Sequence, residues 1–349
     1  MTERLLDGYD ALLLDLDGTV YRGGAAIDGA EPAVVSAHQA GTAVRFVTNN
    51  ASRSPAAVSA HLRELGIPAR PDEVTTSAQA AAGLLAQRLP AGALVLVVGT
   101  EALSTEVSGR GLRPVRQATP EVAAVVQGMS QDTGWRDLAE ACLAIRAGAL
   151  WVACNVDPTL PTERGQLPGN GALVAALRIA TGVEPVIAGK PARPLMDDAW
   201  NAAAADRPLV VGDRLDTDIA GAAAVGADAL LVLSGVSTAA DLLAAPAEQR
   251  PRFLAADLHG VLRPPADVEI TGQPGWTVER TDHGLRVRAN GNGRPRQDGS
   301  QRDELALLRA LCAVWWPTGG GPVSVDAADQ TAADALTTLN LSRPKDRLA

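Results

Sequence analysis

Asp15 and Asp17 stand two residues apart in Asp15-Leu16-Asp17-Gly18-Thr19, directly after an apolar run from Ala11 to Leu14. Two carboxylates at a strand-to-loop exit can hold a metal ion and attack phosphorus. The first carboxylate and the backbone carbonyl of the second residue can converge on a hard cation such as Mg²⁺, which takes oxygen ligands in octahedral geometry. By itself the pentapeptide also fits an Asp-rich turn, since Asp and Gly are common turn residues. Three further groups bear on the choice. Thr48-Asn49-Asn50 ends another apolar run and offers a hydroxyl, amides and backbone N–H groups to phosphate oxygens. Lys190 sits alone in a Gly189-Lys190-Pro191 turn, where it reads as a phosphate partner or as a solvated surface charge. Gly212 to Asp218 carries Asp213, Asp216 and Asp218, three carboxylates in six residues. Crowding them is costly unless a cation offsets their repulsion.

The elements that would position these residues follow from apolar runs and breakers. Leu12–Leu14, Val44–Val47 and Leu209–Val211 are short and continuously apolar, as expected of strands buried on both faces of a parallel sheet. Ligands of such sheets bind beyond the carboxyl ends of the strands. Helices are predicted at Glu31–Gln39, from Pro55 toward Leu65, and at Ala78–Leu89, each punctuated by Pro or Gly signals or rich in Ala and Leu. Strands at Leu94–Val98, Ala123–Gln127 and Leu150–Ala153 alternate with helical stretches such as Asp137–Arg146, a second α/β unit. A helix at Ala172–Thr181 leads back to Lys190, and two further strands are expected at Ala229–Leu233 and Arg252–Ala255.

Taken together, Asp15 to Thr19, Thr48, Lys190 and Gly212-Asp213 through Asp218 resemble, in order, the four motifs of the haloacid dehalogenase-like phosphatases. The long insert between Thr48 and Lys190 resembles the group with an α/β cap of C2 type, which includes 4-nitrophenylphosphatases, phosphoglycolate phosphatases and NagD-like proteins. Asn155-Val156-Asp157-Pro158 and Pro161 to Gly165, with Pro168-Gly169-Asn170-Gly171-Ala172, are similar to that group's cap signature. The whole chain, tail included, resembles glycerol 3-phosphate phosphatases with an acetyltransferase-like C-terminal region. The resemblance implies a Rossmann-like core with a parallel sheet (1–80 and 189–262), an inserted α/β cap (81–188) and a small α+β acetyltransferase-like region (266–349). It implies Asp15 as nucleophile and Asp17 as acid and base. Mg²⁺ would be held by Asp15, Asp17 through its carbonyl, and Asp213, with Gly18, Thr19 and Asp218 in support. Thr48, Asn49 and Lys190 would bind phosphate, and Asn155 and Asp157 would read the organic part. Asp216 receives no role and is expected to be a solvated or structural carboxylate. The implied activity is hydrolysis of a small phosphorylated substrate, glycerol 3-phosphate first and phosphoglycolate or another small ester second, in glycerophospholipid metabolism.

Beyond Arg263-Pro264-Pro265 the character changes. Trp276–Arg280 and Leu285–Arg288 alternate around a turn, which predicts a hairpin. A helix from Arg302 to Trp316, a strand at Val323–Val325 and a final helix follow. Arg288-Ala289-Asn290-Gly291-Asn292-Gly293 fits the R-x-x-G-x-G spacing of acetyltransferase phosphate loops, but Arg294–Gln301 separate its glycines from the helix. A structural module is therefore expected, docked by the stripe of Leu305, Leu308, Leu311, Cys312, Trp315 and Trp316 on the core or on another subunit. The other readings are a phosphatase that also transfers acetyl groups, and an oligomerising protein with a vestigial site.

The bulk properties agree with a soluble enzyme. The chain has 349 residues, 46% hydrophobic and 20% charged, room for two or three domains. A formal net charge of −9 argues against a nucleic-acid partner. No apolar run reaches membrane-spanning length and no basic leader opens the chain, so a cytoplasmic protein without a membrane partner is expected. Three scattered cysteines, Cys142, Cys154 and Cys312, read as reduced thiols of a reducing compartment. Cap and tail offer surfaces for a homo-oligomer.

Overall fold

The computed structural model describes residues 3–162, 164–290 and 305–342. Ala11–Leu14 is buried at every position, as a strand covered on both faces must be. It lies inside a six-stranded sheet in the order Phe253–Ala255, Asp228–Val232, Pro208–Gly212, Ala11–Leu14, Ala43–Thr48, Val74–Thr76. Every pairing is parallel. The chain builds outward from Ala11–Leu14 on one side, leaves, and returns to build outward on the other. The strand order thus reverses between Ala11–Leu14 and Pro208–Gly212, and such a reversal opens a crevice at the strands' carboxyl ends. Leu14 pairs with Val211 and with Phe46, so Asp15 and Asp213 emerge side by side into that crevice.

In sequence, a second, five-stranded sheet is inserted between the strands of the two halves. Its order is Val186–Ile187, Leu150–Ala153, Val122–Gln127, Leu94–Val98, Arg113–Val115, again all parallel, with helices Trp135–Arg146 and Asn170–Thr181 packed on each other. Helix Ser77–Arg88 begins directly after a core strand. The Thr76 hydroxyl accepts from the Gln79 N–H at 3.2 Å, and the Gln79 carboxamide accepts from the Thr76 N–H at 2.9 Å, a reciprocal cap that satisfies two end groups. This helix packs both on cap helix Glu101–Gly109 and on core helix Arg193–Ala203. Residue 80 therefore falls inside an element shared by core and cap. Strands Val74–Thr76 and Arg113–Val115 and the hairpin Tyr21–Arg22/Ala25–Ala26 are two or three residues long, too short to show a period in sequence.

In the tail, Trp276–Thr281 and Gly284–Ala289 pair antiparallel, and Ser324–Ala327 adds parallel to the second of them. The helix expected from Arg302 is described from Ala306 to Trp315; residues 302–304 and the Gly291-Asn292-Gly293 part of the phosphate-loop spacing lie outside the described residues. Leu307, Leu308, Leu311 and Cys312 are buried in one apolar cluster with Leu242, Leu243 and Leu254 of the core. Arg309 is fully buried and its Nε donates to the Leu254 carbonyl at 3.3 Å. The stripe thus docks on the phosphatase-like core. Cys142, Cys154 and Cys312 are free thiols, and among the described residues no helix is long and apolar enough to cross a membrane.

Candidate active site

Lys190 reaches the crevice from the loop that follows cap strand Val186–Ile187. Its side chain is 3% exposed. Nζ lies 2.6 Å from Asp15 Oδ1, 2.7 Å from Asp218 Oδ1 and 3.1 Å from the Val47 carbonyl. Burial alone would lower the lysine's pKa, yet Asp15 and Asp218 hold it above its ordinary value. The charged ammonium is therefore favoured here. Asp15 is pushed well up by burial and by Asp218, with Lys190 pulling the other way. Asp213, fully buried, is pushed up to about 6 by burial and Asp218.

Those upward shifts describe a charge imbalance. Asp15, Asp213 and Asp218 each present an oxygen, all within 4.8 Å of one another, against one ammonium. Asp218 Oδ1 is answered by the same Lys190 ammonium, 2.7 Å away, that also serves Asp15. Three hard anionic groups that share a single ammonium fit a divalent cation such as Mg²⁺. The Asp17 carboxylate stands apart from this trio, so any part it takes in holding a metal would fall to its backbone carbonyl.

The loops shape this cluster closely. Gly18 has φ +90°, and a Cβ there would overlap the Asp213 carboxylate, so glycine alone fits. Thr19 is buried and donates its hydroxyl to Asp213 Oδ1 at 3.4 Å. After Asp213 the chain makes a wide π-helical turn, Leu215–Ile219, a local geometry found at functional sites; it turns Asp218 inward and leaves Asp216 outside. Asp216, itself exposed, pairs by both oxygens with Arg214, at 3.0 and 2.8 Å, a residue that lines the cavity.

Asp17 accepts from the Tyr21 hydroxyl at 3.5 Å, and the Tyr21 ring meets His61 edge-on at 5.2 Å. Burial in the cleft raises the Asp17 pKa, with Tyr21 and Arg53 partly opposing. A carboxyl pushed toward its protonated form suits a proton donor. Thr48 is buried at its strand end, and its Oγ1 accepts from the Asn50 N–H at 3.0 Å, which leaves the hydroxyl proton free to donate.

Asn49 is engaged differently from what its position suggested. Its Oδ1 accepts from the Lys190 N–H at 2.8 Å while Nδ2 donates to the Lys190 carbonyl at 3.1 Å and to Asp157 at 3.2 Å. The side chain clamps the backbone that carries the lysine. Asn155, 4% exposed, borders the cavity, but Nδ2 donates to the Asn49 carbonyl at 2.7 Å and Oδ1 accepts from the Asp157 N–H at 3.2 Å. Asn170 in turn donates to the Asn155 carbonyl at 2.7 Å. Asp157 is the cap carboxylate that lines the cavity, its pKa raised by burial. The cavity measures about 570 Å³, with Asp15, Asp17, Thr48 and Lys190 among its walls. Arg53, His61, Gln131, Thr159 and Arg214 also line it. Sequence reasoning missed these five, and only Arg214, adjacent to Asp213, had a positional signal.

Comparison with known proteins places this geometry. A haloacid dehalogenase-like hydrolase model matches residues 12–113 and a HAD-hydrolase-like model residues 187–261, while a GCN5-related N-acetyltransferase like domain matches 273–341. The chain is similar to the D-glycerol 3-phosphate phosphatase of Mycobacterium tuberculosis, 49% identical over 342 residues, 96% of this chain and 95% of that one. It is 40% identical over 236 residues to the acid sugar phosphatase of Staphylococcus aureus, 67% of this chain and 90% of that one. Among solved structures, the M. tuberculosis glycerol phosphate phosphatase with magnesium matches at TM-score 0.90 and 49% identity, covering 98% of this chain and 100% of that one. A thermostable NPPase from Geobacillus stearothermophilus matches at TM-score 0.63 and 35% identity, covering 68% and 92%. Matching at this identity over almost its full length, the chain belongs to the haloacid dehalogenase-like hydrolases.

Proposed function

We propose that this chain hydrolyses a small phosphate monoester, glycerol 3-phosphate before all others, through an aspartyl-phosphate on Asp15. The observation that carries the reading is the meeting of Asp15, Lys190 and Asp218 within 2.7 Å contacts at the strand-order reversal, with Asp213 completing the acid cluster. Phosphate monoesters hydrolyse very slowly on their own, so positioning and charge neutralisation must supply most of the acceleration. Asp15 Oδ attacks phosphorus in line as the ester C–O–P bond to phosphorus breaks, dividing one hard step into two. Asp17, protonated at first, gives its proton to the leaving alkoxide. It then takes a proton from the water that attacks the acyl-phosphate, which releases phosphate and restores both carboxyls. Lys190 and the Thr48 hydroxyl hold the phosphoryl oxygens, with Asn49 fixing the lysine's backbone. Asp15, the Asp17 carbonyl and Asp213, with Asp218 beside them, would hold Mg²⁺, which would supply the positive charge that an anionic nucleophile needs beside an anionic ester.

The substrate follows from the M. tuberculosis relative, named for D-glycerol 3-phosphate, and from a polar cap wall that includes Asp157 and Thr159. Hydroxyls of a glycerol moiety suit hydrogen-bonding groups of that kind. A cytoplasmic place in glycerophospholipid metabolism, without membrane or nucleic-acid partner, agrees with this substrate and with the net charge of −9. The test is turnover with Mg²⁺ against glycerol 3-phosphate, glycerol 2-phosphate, phosphoglycolate and sugar phosphates. Highest kcat/KM for glycerol 3-phosphate is expected. A preference for phosphoglycolate would overturn the substrate, and no turnover of any ester would overturn the activity.

A further inference from the structure

Asp213 is held chiefly by a loop from elsewhere in the chain. Its Oδ2 accepts from the Val236 N–H at 2.6 Å and its carbonyl from the Ser237 N–H at 3.1 Å. A Cβ on Gly235 would overlap the same carboxylate. Ser234 donates its hydroxyl to the Gly18 carbonyl at 2.7 Å, and the Ser237 hydroxyl accepts from the Leu215 N–H at 3.0 Å. Loop 234–237 therefore ties together the two segments that supply Asp15, Asp17 and Asp213.

The loop runs straight into helix Ala239–Ala244, capped by Thr238, whose Oγ1 accepts from the Asp241 N–H at 3.2 Å. That helix is the floor on which tail helix Ala306–Trp315 packs. Trp316 Nε1 donates to the Leu242 carbonyl at 3.3 Å. Arg250 donates to the Ala245 carbonyl at 3.0 Å, to the Trp316 carbonyl at 3.1 Å and to the Gly319 carbonyl at 2.8 Å, with its guanidinium 5.5 Å from the Trp316 ring centre. A path of hydrogen bonds thus joins the tail to a carboxylate of the acid cluster.

We propose that Trp316 and Arg250 are positioning residues for Asp213: by pinning helix Ala239–Ala244 they set loop 234–237, and through it the affinity of the acid cluster for magnesium. The inference rests on the magnesium-phosphatase reading above. Groups that orient a metal ligand set affinity along with geometry, and coupling through packed elements shifts equilibria by modest factors.

The test uses the full chain and two readouts, magnesium binding by calorimetry without substrate, and turnover of 4-nitrophenyl phosphate across magnesium concentrations. Trp316→Leu and Arg250→Gln should each weaken magnesium binding by about two- to thirtyfold, with turnover at saturating magnesium little changed. Ser234→Ala should weaken it in the same direction, while His283→Ala at the exposed hairpin turn should not. Unchanged magnesium affinity in both tail-contact variants, even at a lower melting temperature, would reduce the tail to a structural appendage and overturn the proposal. Unchanged affinity in Ser234→Ala would overturn it equally, because the path would not run through the loop. If Trp316→Leu does not fold, Arg250→Gln decides alone. Absence of magnesium binding by the unaltered chain would defeat the phosphatase reading and this inference together, an outcome distinct from binding that the variants leave untouched.

Discussion

The crevice contains two buried polar regions of opposite construction. In the cluster at the strand ends, three carboxylates face one ammonium, which Asp15 and Asp218 share. In the lattice a few residues away, Asn49 and Asn155 have both ends of their carboxamides engaged, mostly by backbone groups. A satisfied network stiffens a junction and specifies its geometry. An unbalanced one is costly to keep and is built to receive charge from outside. An excess of carboxylates over cations, more than burial or polarity, separates the reacting centre from the framework.

The comparison breaks most sharply at the nucleophile. Asp15→Asn should lower turnover by roughly 10⁴-fold or more on every ester, yet leave the melting temperature unchanged or raised, since one of three crowded carboxylates is neutralised. Near-normal turnover would refute the assignment. Asp17→Asn should cost about 10²–10⁴-fold on alkyl phosphates and less on 4-nitrophenyl phosphate, whose leaving group needs little protonation. Equal losses on both would contradict an acid role.

Lys190→Ala should depress turnover of every ester alike and destabilise the fold by about 3–5 kcal/mol, the cost of breaking a buried pair. Added magnesium should restore part of that loss, readable by thermal melts with and without chelator. A variant as stable as the unaltered chain in chelator would show that the cluster is not unbalanced. On the lattice side, Asn155→Ala should cost about 1–3 kcal/mol by orphaning its backbone partners, with a uniform effect among esters. Asp157→Ala should instead shift relative kcat/KM between glycerol 3-phosphate and phosphoglycolate. If Asn155→Ala alone changes the preference, the framework and the selector have been assigned the wrong way round. The smallest effect on stability belongs to Asp216→Ala, about 0–1 kcal/mol, because the Asp216 side chain is 60% exposed.

Legibility followed the length and the chemistry of each segment. Leu12–Leu14 and Leu209–Val211 were readable as strands because a core strand covered on both faces must be apolar throughout, and the carboxylates at their ends then had to share a crevice. Cap strands Leu94–Val98 and Leu150–Ala153 were readable for the same reason. Val74–Thr76 and the Tyr21–Arg22/Ala25–Ala26 hairpin were not, since so few residues carry no period. The stripe around Leu308 and Leu311 announced a buried face without naming its partner; the structure supplies Leu242, Leu243 and Leu254.

The sequence by itself determined the chemistry on offer: paired carboxylates, a hydroxyl, a lysine and an acidic turn, each after a breaker or an apolar run that dictated its place at a strand end. Only the tertiary structure decided which of these meet. Asp15 and Lys190 are 175 residues apart and touch because the strand order reverses beside Ala11–Leu14, a property of the whole sheet. The same holds for Asn49 closing on the Lys190 backbone, for Asp218 turning inward while Asp216 pairs with Arg214, and for loop 234–237 holding Asp213. Periodicity and turn chemistry act over a few residues, whereas these contacts depend on how distant elements are stacked.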